Sequence, residues 1–167
     1  MKRECSLSKF TLRCAWISLL HLLVIGTAFA QAPFADEPPA KTDLREAIFR
    51  YMFEHYNNYR STVRVFCIQP ETPQPEKFLR RFAENKTRVV WASDCEMSGP
   101  MYQVKETRTG QRGLRMTIST IRWLNGSEVE ASVEAFSDGI AANWNTLQLT
   151  VEGGHWIVKH DKLTGVS

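Results

Sequence analysis

The stretch that decides the fold runs from Gly113 to Phe136 and reads GLRMTISTIRWLNGSEVEASVEAF. In its second half, apolar and polar residues alternate with period two, which is typical of a strand with one buried face. The apolar members are Val129, Ala131, Val133 and Ala135, and the polar members are Glu128, Glu130, Ser132 and Glu134. Asn125-Gly126 separates the two halves and is the strongest short hairpin signal. The stretch therefore predicts two antiparallel strands.

The first half of this stretch breaks its own alternation. Its apolar residues change face partway along, with Leu114, Met116 and Ile118 on one face and Ile121 and Trp123 on the other. A β-bulge near Ser119-Thr120 inserts one extra residue and returns all five side chains to one face. The alternative is a second apolar layer on the opposite face of the sheet. We favour the bulge.

A second hairpin follows, with strands at 144–152 and 155–161 joined by Gly153-Gly154, a pair that suits a turn with positive φ. A two-residue loop there gives the pairs Val151–Trp156, Leu149–Val158 and Leu147–His160. This register turns His160 toward the apolar face and Asp161 toward the outer face, because strand side chains alternate.

Helical patterns dominate the first part of the chain. A helix is predicted over 43–57, with Asp43 and Glu46 as a capping box. Its apolar stripe consists of Leu44, Ile48, Phe49, Met52, Phe53 and Tyr56. A short helix is predicted from Pro75 to about Glu84, docked by Phe78, Leu79 and Phe82. Further strands are predicted at 62–68, 88–92 and 102–107. This order predicts an α+β fold, with an N-terminal helix and one short helix packed on a curved antiparallel sheet of five to six strands.

Residues 1–30 carry the three parts of a secretory signal peptide. A basic beginning precedes an apolar run from Ala15 to Phe29, which closes on the small-x-small pattern Ala28-Phe29-Ala30. The alternative is an uncleaved anchor, but the run is shorter than the roughly 20 apolar residues that span a bilayer. We expect cleavage and export, to the periplasm or the medium, and no membrane contact afterwards. A Pro-rich leader at 31–41 and a single domain at 42–167 follow.

Removal of that segment changes both the charge and the cysteine count. It contains four of the 21 basic residues and one of the 18 acidic residues, so residues 31–167 hold 17 of each. A neutral chain lacks the basic footprint of a nucleic-acid-binding protein. The cysteines that stay, Cys67 and Cys95, predict one disulfide, as is usual in exported domains. The alternative is a catalytic thiol at Cys67, which needs a histidine nearby.

The segment Gly153–Asp161, GGHWIVKHD, resembles the last hairpin of nuclear-transport-factor-2-like domains, where a glycine turn precedes a final strand with a tryptophan. Together with Cys67 and Ala92–Cys95, it is also similar to a group of small exported bacterial proteins of unassigned function. The resemblance covers about residues 62–163, and the chain departs from the family pattern by having a shorter helical opening. The resemblance implies a cone-shaped domain with a pocket between sheet and helices, a scaffold for enzymes and binding proteins alike.

Candidate chemistry is sparse. No pair among His55, His155 and His160 has the spacing of metal ligands, so we expect no metal and no cofactor. His160 is the candidate acid or base, because the predicted register turns it toward the apolar face, although a histidine there is more often structural. A catalytic dyad would need a carboxylate from elsewhere, such as Asp94 or Glu96.

Four tryptophans form the remaining candidate set: Trp91, Trp123, Trp144 and Trp156. We expect them beneath the helices as core residues, and the alternative is that they line a pocket with His160. Because the sequence holds no recognisable nucleophile–base pair, metal spacing or cofactor loop, it favours a non-catalytic exported module that binds a small ligand or another exported protein. The alternative is a small pocket enzyme, a hydrolase or isomerase, that uses His160 with a carboxylate as acid and base.

Overall fold

A computed structural model describes residues 39–56, 62–139 and 141–167, and these form an α+β fold, as predicted. Within them lie the helix α1 (Pro39–His55), a 3₁₀ helix (Glu76–Phe82), a single 3₁₀ turn (Ala92–Asp94) and eight strands. The strands are β1 (Val65–Gln69), β2 (Arg88–Trp91), β3 (Cys95–Ser98), β4 (Gln103–Glu106), β5 (Gly113–Trp123), β6 (Glu128–Asp138), β7 (Ala141–Glu152) and β8 (His155–Val166). No helix among the described residues is long and apolar enough to cross a bilayer.

Six strands form the main sheet in the order β2-β1-β5-β6-β7-β8, while β3 and β4 pair in a small second sheet. The strand number agrees with the prediction, but the sheet is mixed, because β1 runs parallel to both β2 and β5. Residues Val65–Ile68 of β1 are all buried. One face of β1 lies under α1 and the other against the second sheet. Burial on both faces is typical of strands in parallel pairing.

The helix α1 packs on the sheet through its predicted apolar stripe, whose members are buried: Leu44, Ile48, Phe49, Met52, Phe53 and Tyr56. Phe53 stacks on Phe66 of β1 with ring centroids 4.8 Å apart. The second predicted helix is present as the 3₁₀ helix, and its Phe78 and Phe82 meet Phe49 edge-on. Aromatic pairs of this kind contribute beyond their buried area, so this layer anchors α1 on the sheet.

The beginning of α1 differs from the prediction. The helix starts at Pro39, a residue that suits a first helical turn, so Asp43 and Glu46 lie inside it and do not form a capping box. Both carboxylates accept hydrogen bonds from Nη1 of Arg81, each at 2.7 Å. Residues three apart lie on the same side of a helix. The spacing that predicted a capping box therefore places two carboxylates where both can bind one arginine.

The predicted bulge in β5 is confirmed. The pairing of β5 with β6 shifts between Ile118 and Thr120. Beyond this point Ile121 packs against the core, and Trp123 meets Trp156 with ring centroids 5.6 Å apart. The extra residue therefore returns the end of β5 to the face that carries α1.

The second sheet covers the face of β1 that α1 leaves open. The predicted disulfide is confirmed and joins Cys67 of β1 to Cys95 of β3. Gly113 lies against it, because a Cβ atom at this position would come within 2.9 Å of Sγ of Cys67. The disulfide excludes a free catalytic thiol at Cys67. This face of the main sheet is therefore closed by covalent and close-packed contacts.

Candidate functional site

A second bulge, in β8, decides which side chains face α1. Near the glycine turn the predicted pairing is present as far as Leu149 and Val158. The register then shifts by one residue, so that His160 pairs with Gln148. The extra residue in β8 is Lys159, and an extra residue exchanges the two faces of a strand.

Because of this shift, Asp161 faces α1 and His160 does not. Asp161 pairs with Leu147, a residue buried in the core. His160 is exposed and borders a shallow pocket of about 200 Å³ that also includes Glu128 and Lys159. The prediction that His160 opposes Leu147 and faces inward is therefore wrong.

The carboxylate of Asp161 is the centre of a polar cluster between α1 and the last two strands. The hydroxyl of Tyr51 donates to Oδ2 at 2.8 Å, and Nδ2 of Asn145 donates to Oδ1 at 2.5 Å. Nδ1 of His55 lies 3.5 Å from Oδ2. The hydroxyl of Tyr56 donates to Oδ1 of Asn145 at 3.3 Å, which fixes the orientation of that amide. Both oxygens of the carboxylate are thus held in place.

Tyr51 is held as a hydrogen-bond donor by its surroundings. Burial, together with the hydrogen bond to Asp161 and the negative charge there, raises the pKa of Tyr51 to about 12. A phenol that loses its proton beside a carboxylate would place two negative charges together, which is unfavourable. Tyr51 therefore stays protonated across the physiological pH range and donates to Asp161.

Asp161 differs from other well-buried carboxylates of the chain in its partners. Three such side chains each pair with an arginine: Glu106 with Arg88, Asp138 with Arg112, and Glu71 with Arg45. The side chain of Asp161 is 14% exposed, as is that of Glu71. Among the described residues, neither lysine nor arginine pairs with Asp161, whose partners are a phenol, an amide and a histidine.

The cluster opens into a pocket of about 370 Å³, which we call the Asp161 pocket. Its lining consists of Tyr51, His55, Tyr56, Asn143, Asn145, Asp161 and Leu163. A volume of this size matches a small-molecule site. Tyr51 also borders a larger pocket of about 620 Å³ that lies between α1 and the start of β8 and includes Glu54 and Trp156. Tyr51 is therefore a wall common to both pockets.

The four candidate tryptophans do not meet in one place. Trp156 borders the larger pocket, and the ring of Trp123 contacts the ring of Trp156 edge-on. Trp91 stacks on Phe78 and lines a different pocket of about 560 Å³. Trp123 and Trp144 are 41% and 38% exposed, so the expectation that all four are core residues is wrong for these two. None of the four lines the Asp161 pocket, and His160 does not either.

The sequence patterns do not predict that the residues of the Asp161 pocket come together, although one pattern indicates where Tyr51 and His55 lie. Tyr51 and His55 are four residues apart in α1, so they lie on one side of the helix. They flank the apolar stripe, and this position predicts contact with the rim of the sheet. The other half of the site, Asn145 and Asp161, depends on the bulge in β8, for which the sequence has no equivalent signal.

The cluster has the groups for binding and for proton transfer, but few for other chemistry. Among the described residues, its lining contains no serine, threonine or cysteine. Within the described part of the chain, no three histidine, cysteine or acidic side chains converge as metal ligands would. A metal site normally draws on three or four such residues. The arrangement therefore fits a ligand held by hydrogen bonds and charge.

No family model, no curated protein and no solved structure matches this chain. The resemblance to nuclear-transport-factor-2-like domains stays a prediction from the residues that carry it. The function is therefore inferred from the geometry of the site.

Proposed function

We propose that this chain is an exported, non-catalytic binding module that holds a small ligand in the Asp161 pocket. The observation that carries the proposal is the placement of a partly buried, hydrogen-bonded carboxylate, 14% exposed, at the wall of a pocket of about 370 Å³. Ligand sites commonly combine apolar or aromatic walls with a few fixed polar groups that orient the ligand. The rings of Tyr51, His55 and Tyr56 are such walls, and Asp161 and Asn145 are such groups.

Export is supported by two independent features. The first thirty residues have the pattern of a signal peptide. The bond between Cys67 and Cys95 is of the kind that persists in oxidising compartments. Periplasmic or secreted location follows from both.

Binding is favoured over catalysis because the polar groups of the cluster already satisfy one another. Tyr51 and Asn145 both donate to Asp161, which holds the carboxylate as a fixed acceptor. A small ligand is favoured over a protein partner because the site is a recess between α1 and β8, whereas protein interfaces are usually broader surfaces.

A variant that fills the pocket tests the proposal. Leu163 lines the pocket and is 56% exposed, so Leu163→Trp should fill the recess without disturbing the core. Val166 lies on the same strand, is 66% exposed and is outside the pocket lining, so Val166→Trp is the matched control. A library of small polar compounds is screened by NMR of the tyrosine and histidine ring signals.

We expect some compounds to shift the signals of Tyr51, His55 and Tyr56 in the wild type and in Val166→Trp, and to lose this effect in Leu163→Trp. Binding that is equally strong in Leu163→Trp would contradict the proposal. So would a screen in which no compound shifts these signals.

One observation favours a second function, that of a small acid–base enzyme. His160 lacks the inward position that this hypothesis requires, but Nδ1 of His55 lies 3.5 Å from Asp161, and the imidazole is 45% exposed. A carboxylate that orients an imidazole in this way leaves Nε2 available to a substrate. In this hypothesis His55 takes the role assigned to His160, and Asp161 is its carboxylate partner.

The two functions differ in what His55→Gln does. Glutamine removes the base and keeps a polar side chain of similar reach. If the chain is an enzyme, hydrolysis of ester or amide probes, or proton exchange on a carbonyl compound, should fall at least about a hundredfold, the usual contribution of a general base. A binding module has no such activity in the wild type.

A further inference from the structure

We infer that the Asp161 pocket selects small organic cations of the alkylammonium class, with Asp161 as their counter-charge. This inference rests on the proposed binding function and names the chemical class of the ligand. It starts from the difference between Asp161 and the other buried carboxylates of the chain.

Charge balance is the first argument. A carboxylate removed from water is disfavoured unless an opposite charge and hydrogen bonds compensate it. Glu106, Asp138 and Glu71 have both, because an arginine contacts each one. Asp161 has the hydrogen bonds, from Tyr51 and Asn145, but no arginine or lysine among the described residues. A bound ammonium group would supply the permanent positive charge that an arginine supplies at the other three carboxylates.

The walls of the pocket are the second argument. The ring of His55 lies between those of Tyr51 and Tyr56, with centroid distances of 5.7 and 4.9 Å. Aromatic faces attract ammonium groups, and this attraction grows when the cation leaves water. Leu163 adds an apolar wall that suits the alkyl part of such a ligand. Rings, an apolar wall and one carboxylate together describe a site for an alkylated amine.

The same features argue against other ligand classes. An anion would meet the negative charge of Asp161, and the described residues of the pocket lining include neither lysine nor arginine to hold it. A metal ion would find one carboxylate among those lining residues, and within the described part of the chain no group of three ligands converges. The described lining of the neighbouring pocket has three acidic side chains and one arginine, so the approach past Tyr51 also favours a cation.

A series of three probes of equal length and different charge tests the inference. Butylammonium, 1-butanol and butyrate are titrated separately into the purified protein, and the ring signals of Tyr51, His55 and Tyr56 are followed by NMR. We expect saturable shifts with butylammonium, and affinity at least about tenfold weaker for butanol and butyrate, since only the ammonium group can pair with the carboxylate and a charge left unpaired in the complex is unfavourable. Equal or tighter binding of butanol or butyrate would overturn the inference.

Two variants assign the charge effect to Asp161. Asp161→Asn keeps the size of the side chain and removes its charge, so butylammonium affinity should fall at least about tenfold. Glu84→Gln removes one charge from an exposed residue that follows the 3₁₀ helix and does not line the pocket, and should leave the affinity unchanged. Unchanged affinity in Asp161→Asn would overturn the inference. Thermal unfolding checks that this variant is folded, and the probe series on the wild type stands without it.

The outcomes separate this inference from the function on which it rests. If compounds of the screening library bind in the pocket but butylammonium does not, the inference fails and the binding function stands. If no compound of any charge shifts the ring signals, both fail.

Discussion

Glu106 and Asp161 are both buried carboxylates, and they lie in two differently built regions of the molecule. Glu106 is in the second sheet, opposite the disulfide-bonded Cys95, and holds two nitrogens of Arg88. Asp161 lies on β8 and faces α1, where neutral donors and a half-exposed histidine surround it. The first region is closed by charge pairing and a covalent bond, whereas the second is open to a pocket. Burial alone therefore does not distinguish a structural acid such as Glu106 from the binding acid that we propose at Asp161; the absence of an arginine or lysine partner among the described residues does.

The closed region should show the largest loss when its covalent bond is removed. The double variant Cys67→Ala/Cys95→Ala frees a loop of 28 residues in the unfolded chain. The free energy of unfolding should fall by about 3–4 kcal/mol on the chain-entropy estimate. Urea unfolding measures it. Leu163→Ala in the open pocket is the contrast and should change stability by less than about 0.5 kcal/mol. Equal losses in the two variants would remove the distinction between the regions.

The next largest difference in stability is expected when the partner of each carboxylate is removed. Arg88→Met removes the guanidinium from Glu106 and leaves a buried charge without its main partner, which should cost about 2 kcal/mol. His55→Gln removes the histidine beside Asp161 and should cost less than about 0.5 kcal/mol, because that side chain is 45% exposed. Chemical denaturation of both variants at neutral pH tests the comparison. A larger loss in His55→Gln than in Arg88→Met would reverse it.

The pH dependence of stability provides a second test of the pair formed by Arg88 and Glu106. The hydrogen bond from Arg88 is the main cause that lowers the pKa of Glu106 from 4.5 to about 2. The unfolded chain therefore takes up this proton at higher pH than the folded chain does. The contribution of Glu106 to stability is complete above about pH 5 and is lost as the pH falls from there toward 2. Urea midpoints between pH 6 and pH 2.5 should fall less steeply in Arg88→Met than in the wild type. Parallel curves would show that this pair does not contribute.

The smallest effect is expected at Asp161 itself. Because no arginine or lysine among the described residues balances its charge, Asp161→Asn should leave the free energy of unfolding within about 1 kcal/mol of the wild type. The same change at the other site, Glu106→Gln, should cost more, since it leaves Arg88 without its charged partner. Thermal and urea unfolding of the two variants side by side give the comparison. A loss above about 2 kcal/mol in Asp161→Asn would identify this residue as structural.

The sequence predicts those parts of the fold for which its pattern allows a single arrangement. The bulge in β5 could be predicted because Ile121 and Trp123 would otherwise leave the core face. The disulfide could be predicted because Cys67 and Cys95 are the two cysteines outside the signal segment. The parallel pairing of β1 could not, because a strand read as alternating is in fact buried on both faces.

The site could not be predicted because the two residues that could face α1 at this point of β8, His160 and Asp161, are both polar. Lys159, His160 and Asp161 follow one another, so either register of β8 leaves a polar side chain facing α1. No apolar residue is misplaced by the wrong register at this point, and pattern reasoning therefore had no reason to insert a bulge. The pairs nearer the turn, up to Leu149 and Val158, contain apolar residues and were predicted correctly.

The bulge at Lys159 also has a consequence for how such a site changes in evolution. A strand presents alternate residues to each face, so the position of one surplus residue determines whether a carboxylate or an imidazole enters the pocket. A relative in which Lys159 pairs with Gln148 would present His160 there, with no substitution in the lining strand. Loss of the bulge, with every residue of β8 unchanged, could thus exchange the carboxylate in this pocket for an imidazole.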